Sequence, residues 1–359
     1  MTLAVNIAQS GSNNATFRNR IINGAMVFDQ RNAGASVTST SNPFTLDRWQ
    51  AFGAPGAKYT VQQNAGSVTP PVGFSKYLGV TSSSAYTVTS GDYFFLTQHI
   101  EGFNVADLNF GSANASTVTL SFWVRSSLTG TFGGSLANGT PNRSFPFTYT
   151  ISVANTFEYK TITIAGDTTG TWATGNTSGL EVNFGYGVGS GLSGTANGTW
   201  QAGDYRSATG TTSVVGTNGA TFYITGVQLE AGTTASPFEY RQYGTELALC
   251  QRYLPAVPSI PVGQTFAVGM CISTTAGYGF IPLPVTARVP PTGVTFTSGN
   301  TAVYNSSGTA VGLGSIGFST ATTQTATLSF GGSGLTAGNA TFMLCNNTAT
   351  GFHLTGCEL

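Results

Sequence analysis

Thr117–Val124 reads TVTLSFWV. β-Branched and aromatic residues alternate there with small polar ones, the period-2 pattern of a half-buried strand. The pattern recurs at Phe147–Val153 (FTYTISV), Tyr159–Ile164 (YKTITI), Leu180–Phe184 (LEVNF), Phe222–Leu229 (FYITGVQL) and Thr325–Phe330 (TATLSF). Gly-rich turns separate such runs by roughly 10–20 residues, a spacing that suits a sandwich or jelly roll. The fold expected is all-β: a jelly-roll or β-sandwich central domain, one short linking helix and a smaller C-terminal β-sandwich domain.

The helix is expected over Thr245–Leu254. Thr245 can cap it, Glu246 suits its first turn, and Leu247, Cys250 or Gln251, and Leu254 share a face. Pro255 and Pro258 end it. A second helical turn is expected near residues 102–108 (GFNVADL). Arg20–Arg31 reads as a hairpin around Asn23-Gly24, and the first 17 residues read as mobile or tied to a partner. Residues 254–359 hold one basic residue, Arg288, and one acidic residue, Glu358. The domains expected are therefore an N-terminal attachment segment (1–50), a jelly roll (51–243), a linker helix (244–254) and a tip domain (255–359). No fixed-period repeat points to a solenoid or propeller.

Charged residues make up 7% of the 359, and 13 bases balance 13 acids. An ordinary soluble domain carries roughly 25% charge. No strong field exists to steer nucleic acid or anionic lipid, so neither partner is expected. Aromatic content of 12% argues against disorder. No apolar run is long enough for a membrane helix, and no leader of the secretory type is read at the N-terminus. Cys250, Cys271, Cys345 and Cys357 lack zinc-site spacing and read as buried thiols of a chain made in a reducing cytoplasm. Cys345 with Cys357 is the one pair worth testing for a bridge.

Little catalytic chemistry assembles. His99 and His353 stand alone in different modules, and no GxSxG elbow accompanies them. The acids are scattered, several beside a cation: Asp29 with Arg31, Asp47 with Arg48, Glu239 with Arg241, Glu246 with Arg252. Such acids serve turns and ion pairs more readily than a hydrolytic pair. No calcium loop appears, although Asp92, Asp167 or Asp204 remain candidates for a single structural ion. No cofactor is expected. Trp123, Phe122 and Phe147 alternate within strands and read as core. Trp172 (GTWATGN) and Trp200 (NGTWQAGDYR) stand in polar, Gly-rich surroundings. Exposed, their rings would stack on sugars while Asp204, Tyr205 and Arg206 bonded the hydroxyls. Buried, they would plug the end of the sandwich. Tyr86, Asp92 and Tyr93 form a weaker group of the same kind. Tyr278 and Tyr304 are the aromatic candidates of the tip.

Asn19–Trp49 (NRIINGAMVFDQRNAGASVTSTSNPFTLDRW) and Phe222–Tyr253 (FYITGVQLEAGTTASPFEYRQYGTELALCQRY) resemble modules of tailed-phage virion proteins, especially tail-fibre and receptor-binding proteins. Between them, SFWVRSS (121–127), ITIAGDTTGTW (162–172) and NFGYGVGSG (183–191) resemble the carbohydrate-binding-module-like jelly roll of such fibres. IPLPVTARVPPTGV (281–294) resembles a segment of their tips. The resemblance implies a homotrimeric virion appendage, made in the host cytoplasm. It would join other virion proteins through its N-terminal segment and bind host-surface glycan. It brings no catalytic residues. A capsid head fibre or decoration protein without glycan affinity shares these features. A depolymerase tailspike would need a long parallel β-helix and paired acids, and short strands with neutralised acids weigh against it.

Overall fold

The computed structural model describes residues 17–296, 301–304, 308–346 and 350–359, and is all-β with one α-helix among them. The attachment role expected of the first 16 residues lies outside the described residues. The chain divides into two compact units that meet in sequence between Arg241 and Gln242.

The first unit is a sandwich of two six-stranded antiparallel sheets. Its strands begin with β1 (Val37–Thr38), β2 (Gln50–Ala54), β3 (Tyr59–Gln63), β4 (Leu78–Ser82) and β5 (Tyr93–Glu101). Then follow β6 (Val118–Ser126), β7 (Gly130–Asn138), β8 (Arg143–Ile151), β9 (Glu158–Ile164) and β10 (Ser178–Val188). Two-residue strands β11 (Ser193–Gly194), β12 (Gln201–Ala202) and β13 (Ser207–Ala208) precede the long β14 (Thr221–Ala231). One sheet runs β1-β3-β4-β14-β6-β9 and the other β12-β8-β7-β10-β5-β2.

The core lies between them, and alternation decides what enters it. Leu120, Phe122 and Val124 of β6 meet Phe145, Phe147, Tyr149 and Ile151 of β8, with Leu180, Val182, Phe184 and Tyr186 of β10. Trp123 is the exception to the expected core. Neighbours along a strand point to opposite faces, so Phe122 inside puts Trp123 outside. In β14, Phe222 and Ile224 point inward, a bulge intervenes between Thr225 and Gln228, and Val227 and Leu229 then point inward. The extra residue re-phases the alternation.

Residues 17–50 are part of this sandwich: Ile21, Met26, Leu46 and Trp49 are buried in its core. The expected hairpin at Arg20–Arg31 is not formed as paired strands. Side chains take the groups a ladder would use. The Gln98 amide exchanges two hydrogen bonds with the Ile22 backbone, and Asn23 does the same with Phe28. The expected turn near 102–108 appears as two 3-10 turns, Gly102–Asn104 and Ala106–Leu108.

An excursion between β10 and β14 folds back over the outer face of the second sheet. Its β11 and β13 pair in parallel. Ser207 packs so closely on Gly133 that a Cβ there would lie 2.4 Å from the serine Oγ. Ser135, Asn183 and Ser207 are fully buried as a result. A face that alternation alone would leave to solvent is therefore covered.

The second unit opens with helix α1 (Tyr243–Gln251). Gln242 occupies the N-cap position, so Thr245 lies inside the first turn and does not cap it. Cys250 is buried, with Tyr253 and Leu254 just beyond the helix. The strands that follow are β15 (Ala256–Ile260), β16 (Thr265–Cys271), β17 (Ala276–Pro282), β18 (Gly293–Phe296) and β19 (Thr301–Tyr304). After them come β20 (Ala310–Gly312), β21 (Ser315–Ala321), β22 (Thr325–Gly331), β23 (Ala340–Cys345) and β24 (Thr350–Thr355). They form a three-stranded sheet, β15-β24-β18, and a seven-stranded sheet, β20-β19-β23-β16-β17-β22-β21. One core draws on both, including Ile260, Phe352, Cys271, Leu328, Phe330 and Met343. All four cysteines are buried, and none of them is in a disulfide.

Candidate functional site

Trp172 lies in the loop between β9 and β10, and Trp200 lies just before β12. The structure brings them together: their ring centroids are 5.3 Å apart at 89°. Phe110 sits edge-on to both, at 4.8 and 5.8 Å, and Phe145 lies 5.4 Å from Trp200. Each indole donates its N–H to a backbone carbonyl, Trp172 to Thr169 at 3.0 Å and Trp200 to Ala165 at 2.6 Å. Both rings are half-buried against the core. Beside Trp172 lies a cavity of about 200 Å³, lined also by Val105, Leu108, Asn109, Phe110 and Thr174.

The loop carrying Trp172 is fixed by Asp167. That carboxylate accepts two bonds from the Arg143 fork, at 2.7 and 2.8 Å, and further bonds from Thr169. Burial works to raise its pKa, but the Arg143 fork and the Thr169 donors outweigh burial and hold it below the ordinary value.

Asp204 and Arg206 are also brought together, but they face each other. Arg206 Nε lies 2.5 Å from Asp204 Oδ1, and Nη1 contacts Glu181. The guanidinium also lies over the Phe95 ring at 5.1 Å. His99 Nδ1 is 3.3 Å from the same Glu181 carboxylate and 3.2 Å from Ser178 Oγ. Burial raises the Asp204 carboxyl despite Arg206. Glu181, more deeply buried, is nonetheless held low, because His99 and Arg206 together outweigh desolvation. Tyr205 is half-buried and bonds the Ser144 hydroxyl through its backbone N–H, at 3.2 Å. None of these three lines the Trp172 cavity. Asp92 is occupied within its own loop by Tyr86 and Thr89. Among the described residues, no three of His, Cys, Asp and Glu come close enough to hold a metal ion. In the second unit Tyr278 is exposed on β17 and Tyr304 is half-buried at the end of β19.

Sequence reasoning missed a larger feature on the outer face of the first sheet. Trp123 of β6 stands directly opposite Tyr159 of β9, rings 5.4 Å apart. Facing them, loop residues Phe74, Phe238 and Tyr240 form a triad with centroids 5.0–5.6 Å apart. The Tyr240 hydroxyl donates to Gly73 O at 2.9 Å and ties the two loops. Between the two groups runs an open groove of about 490 Å³, whose lining also includes Val72, Ser121, Ser236 and Pro237. Tyr159 is 44% and Tyr240 59% exposed. The floor is Gly226, at the β14 bulge with φ +61°; a Cβ there would lie 2.6 Å from the Phe74 ring and 3.1 Å from Trp123. The residues lining the groove include no Asp, Glu, His, Lys or Arg. The missed signal was Trp123 itself: adjacent to Phe122, it had to point to the opposite face.

No family model matches the chain, and no curated protein matches it. Among solved structures, an arabinose-bound MgGH51 α-L-arabinofuranosidase is 10% identical with a TM-score of 0.30; the match covers 57% of this chain and 26% of that one. TmCBM61 in complex with β-1,4-galactotriose is 11% identical with a TM-score of 0.29, over 60% of this chain and 99% of that one. A family 11 carbohydrate-binding module from Clostridium thermocellum, in complex with a β-1,3-1,4-mixed-linked tetrasaccharide, is 13% identical with a TM-score of 0.27, over 56% and 98%. Likeness at this level assigns the chain neither a family nor a ligand.

Proposed function

We propose that this chain is a structural protein of a tailed-phage virion, a tail-fibre or receptor-binding component, whose first unit binds neutral host-surface glycan in the Trp123–Tyr159 groove. The groove is the observation that carries the binding half. Its size falls within the usual range for ligand sites, about 300–1,000 Å³. Its walls are aromatic faces of the kind that stack on the apolar faces of sugar rings. Its polar groups are hydroxyls, and the absence of charge matches a neutral ligand. The virion half is supported by the two resembling stretches and by a chain that is 7% charged.

In this reading the protein is made in the host cytoplasm, assembles as a homotrimer and joins other virion proteins through its N-terminal segment. It catalyses nothing, and it neither binds nucleic acid nor inserts into membrane. The Trp172 cavity is the alternative site for the same ligand class. At about 200 Å³ it is smaller than most such sites.

A glycan array tests the binding half. Wild type is expected to bind neutral glycans, Trp123→Ala to lose that binding, and Trp200→Ala to keep it. Loss in Trp172→Ala with retention in Trp123→Ala would move the site to the smaller cavity. Silence across host glycans would remove the binding half and leave a head fibre or decoration protein. Electron cryo-microscopy of the virion tests the other half, by placing the chain on tail or capsid or finding it on neither.

A further inference from the structure

The second unit carries an apolar sheet face that is exposed among the described residues. In β16 the alternation buries Ala267 and Cys271 and turns Val268 and Met270 outward, with Ile272 following just past the strand. The register of β17 sets Tyr278 opposite Met270 and Phe280 opposite Val268. On the other side β23 sets Phe342 opposite Val268. These six side chains share one face of three adjacent strands, and each is 44–53% exposed.

We propose that copies of this chain pack against one another through this face. The inference rests on the reading of the chain as a self-associating appendage and names the surface that does the associating. Area is the first argument. Six half-exposed side chains of this size leave on the order of 500 Å² of apolar surface per copy. Two copies would then bury about 1,000 Å², which reaches the threshold of a specific interface. Charge is the second. Apart from Arg288, His353 and Glu358, residues 254–359 carry no Asp, Glu, Lys, Arg or His. Arg288 is turned to the backbone carbonyls of Cys357 and Glu358. Identical copies can therefore meet on the strands of this face without like charges opposing one another. Thr325, Thr327 and Ser329 of β22 border the patch in register with Pro282, Phe280 and Tyr278, a hydroxyl margin of the kind that rims an apolar interface.

Sedimentation equilibrium of the full chain tests this. Wild type is expected to associate at micromolar concentration. Val268→Asp with Phe280→Asp is expected to weaken association at least 100-fold, while Phe103→Ser, on an exposed ring of the first unit, leaves it unchanged. Circular dichroism checks that the variants fold. Hydroxyl-radical footprinting of wild type needs no variant: Met270, Tyr278 and Phe342 are expected to oxidise more slowly in the oligomer than after dilution to monomer. A wild type that stays monomeric to about 100 µM overturns both the inference and the oligomer it rests on. An oligomer that ignores the double variant, or that leaves the three residues equally oxidisable, overturns the inference alone. A variant that keeps its oligomeric mass but loses glycan binding would assign the face to the ligand instead.

Discussion

Arg206 sits between two carboxylates, Asp204 and Glu181, and the arrangement shows what single residues contribute here. Glu181 is 3% exposed at its side chain, so its charge depends on Arg206 and His99. Arg206→Gln should leave it underpaired and cost about 3–5 kcal/mol of stability, measurable by urea denaturation. Asp167 offers a test by pH. Its folded pKa is depressed, so its contribution is complete at neutral pH and fades as pH falls from the unfolded value of 3.8 through the lower folded value. Arg143→Gln should therefore melt below wild type at pH 7, and the gap should close as acid protonates Asp167. A constant gap down to pH 2 would contradict that assignment. Asp204 and Arg206 were legible as neighbours of Trp200, with one residue between them, but they were read as groups for sugar hydroxyls and not as partners of each other. Glu181 was not legible: it lies 25 residues away and reaches Arg206 only because the excursion folds back over β10.

At the scale of elements, each run of alternating residues became a strand, with ends moved by at most four residues. Thr117–Val124 became β6, and Phe147–Val153 became the later part of β8. Period-2 alternation reports which residues share a face, and it leaves open what covers that face. Trp123 was read as core for this reason, and the cover over Ser135 and Asn183 was invisible. Asn23-Gly24 failed as a hairpin signal because the amides of Asn23 and Gln98 satisfied the backbone locally. The face assignment predicts a contrast. Phe122→Ala should cost about 3–5 kcal/mol, while its neighbour Trp123→Ala should cost far less, both read by chemical denaturation. Equal losses would contradict it. Gly226→Ala should destabilise as well, since the added methyl meets the Phe74 ring in a left-handed backbone.

The whole molecule combines a sandwich bearing an aromatic groove with a nearly chargeless second unit bearing an apolar face. The all-β class and the change of composition near residue 254 were legible in the sequence. The groove was not, since it joins Phe74, Trp123, Tyr159 and Phe238 from distant parts of the chain. The central claim is that this groove holds neutral glycan, and the four tryptophans provide the test. Trp49 is buried in the core, Trp172 and Trp200 lie in the end cluster, and Trp123 alone lines the groove. Nitrogen-15 labelling of tryptophan gives one indole signal for each. On titration with a neutral oligosaccharide selected on the array, the Trp123 signal should shift with saturation while the other three stay in place. Movement of Trp172 and Trp200 with Trp123 still, or no movement at saturating ligand, would contradict the account.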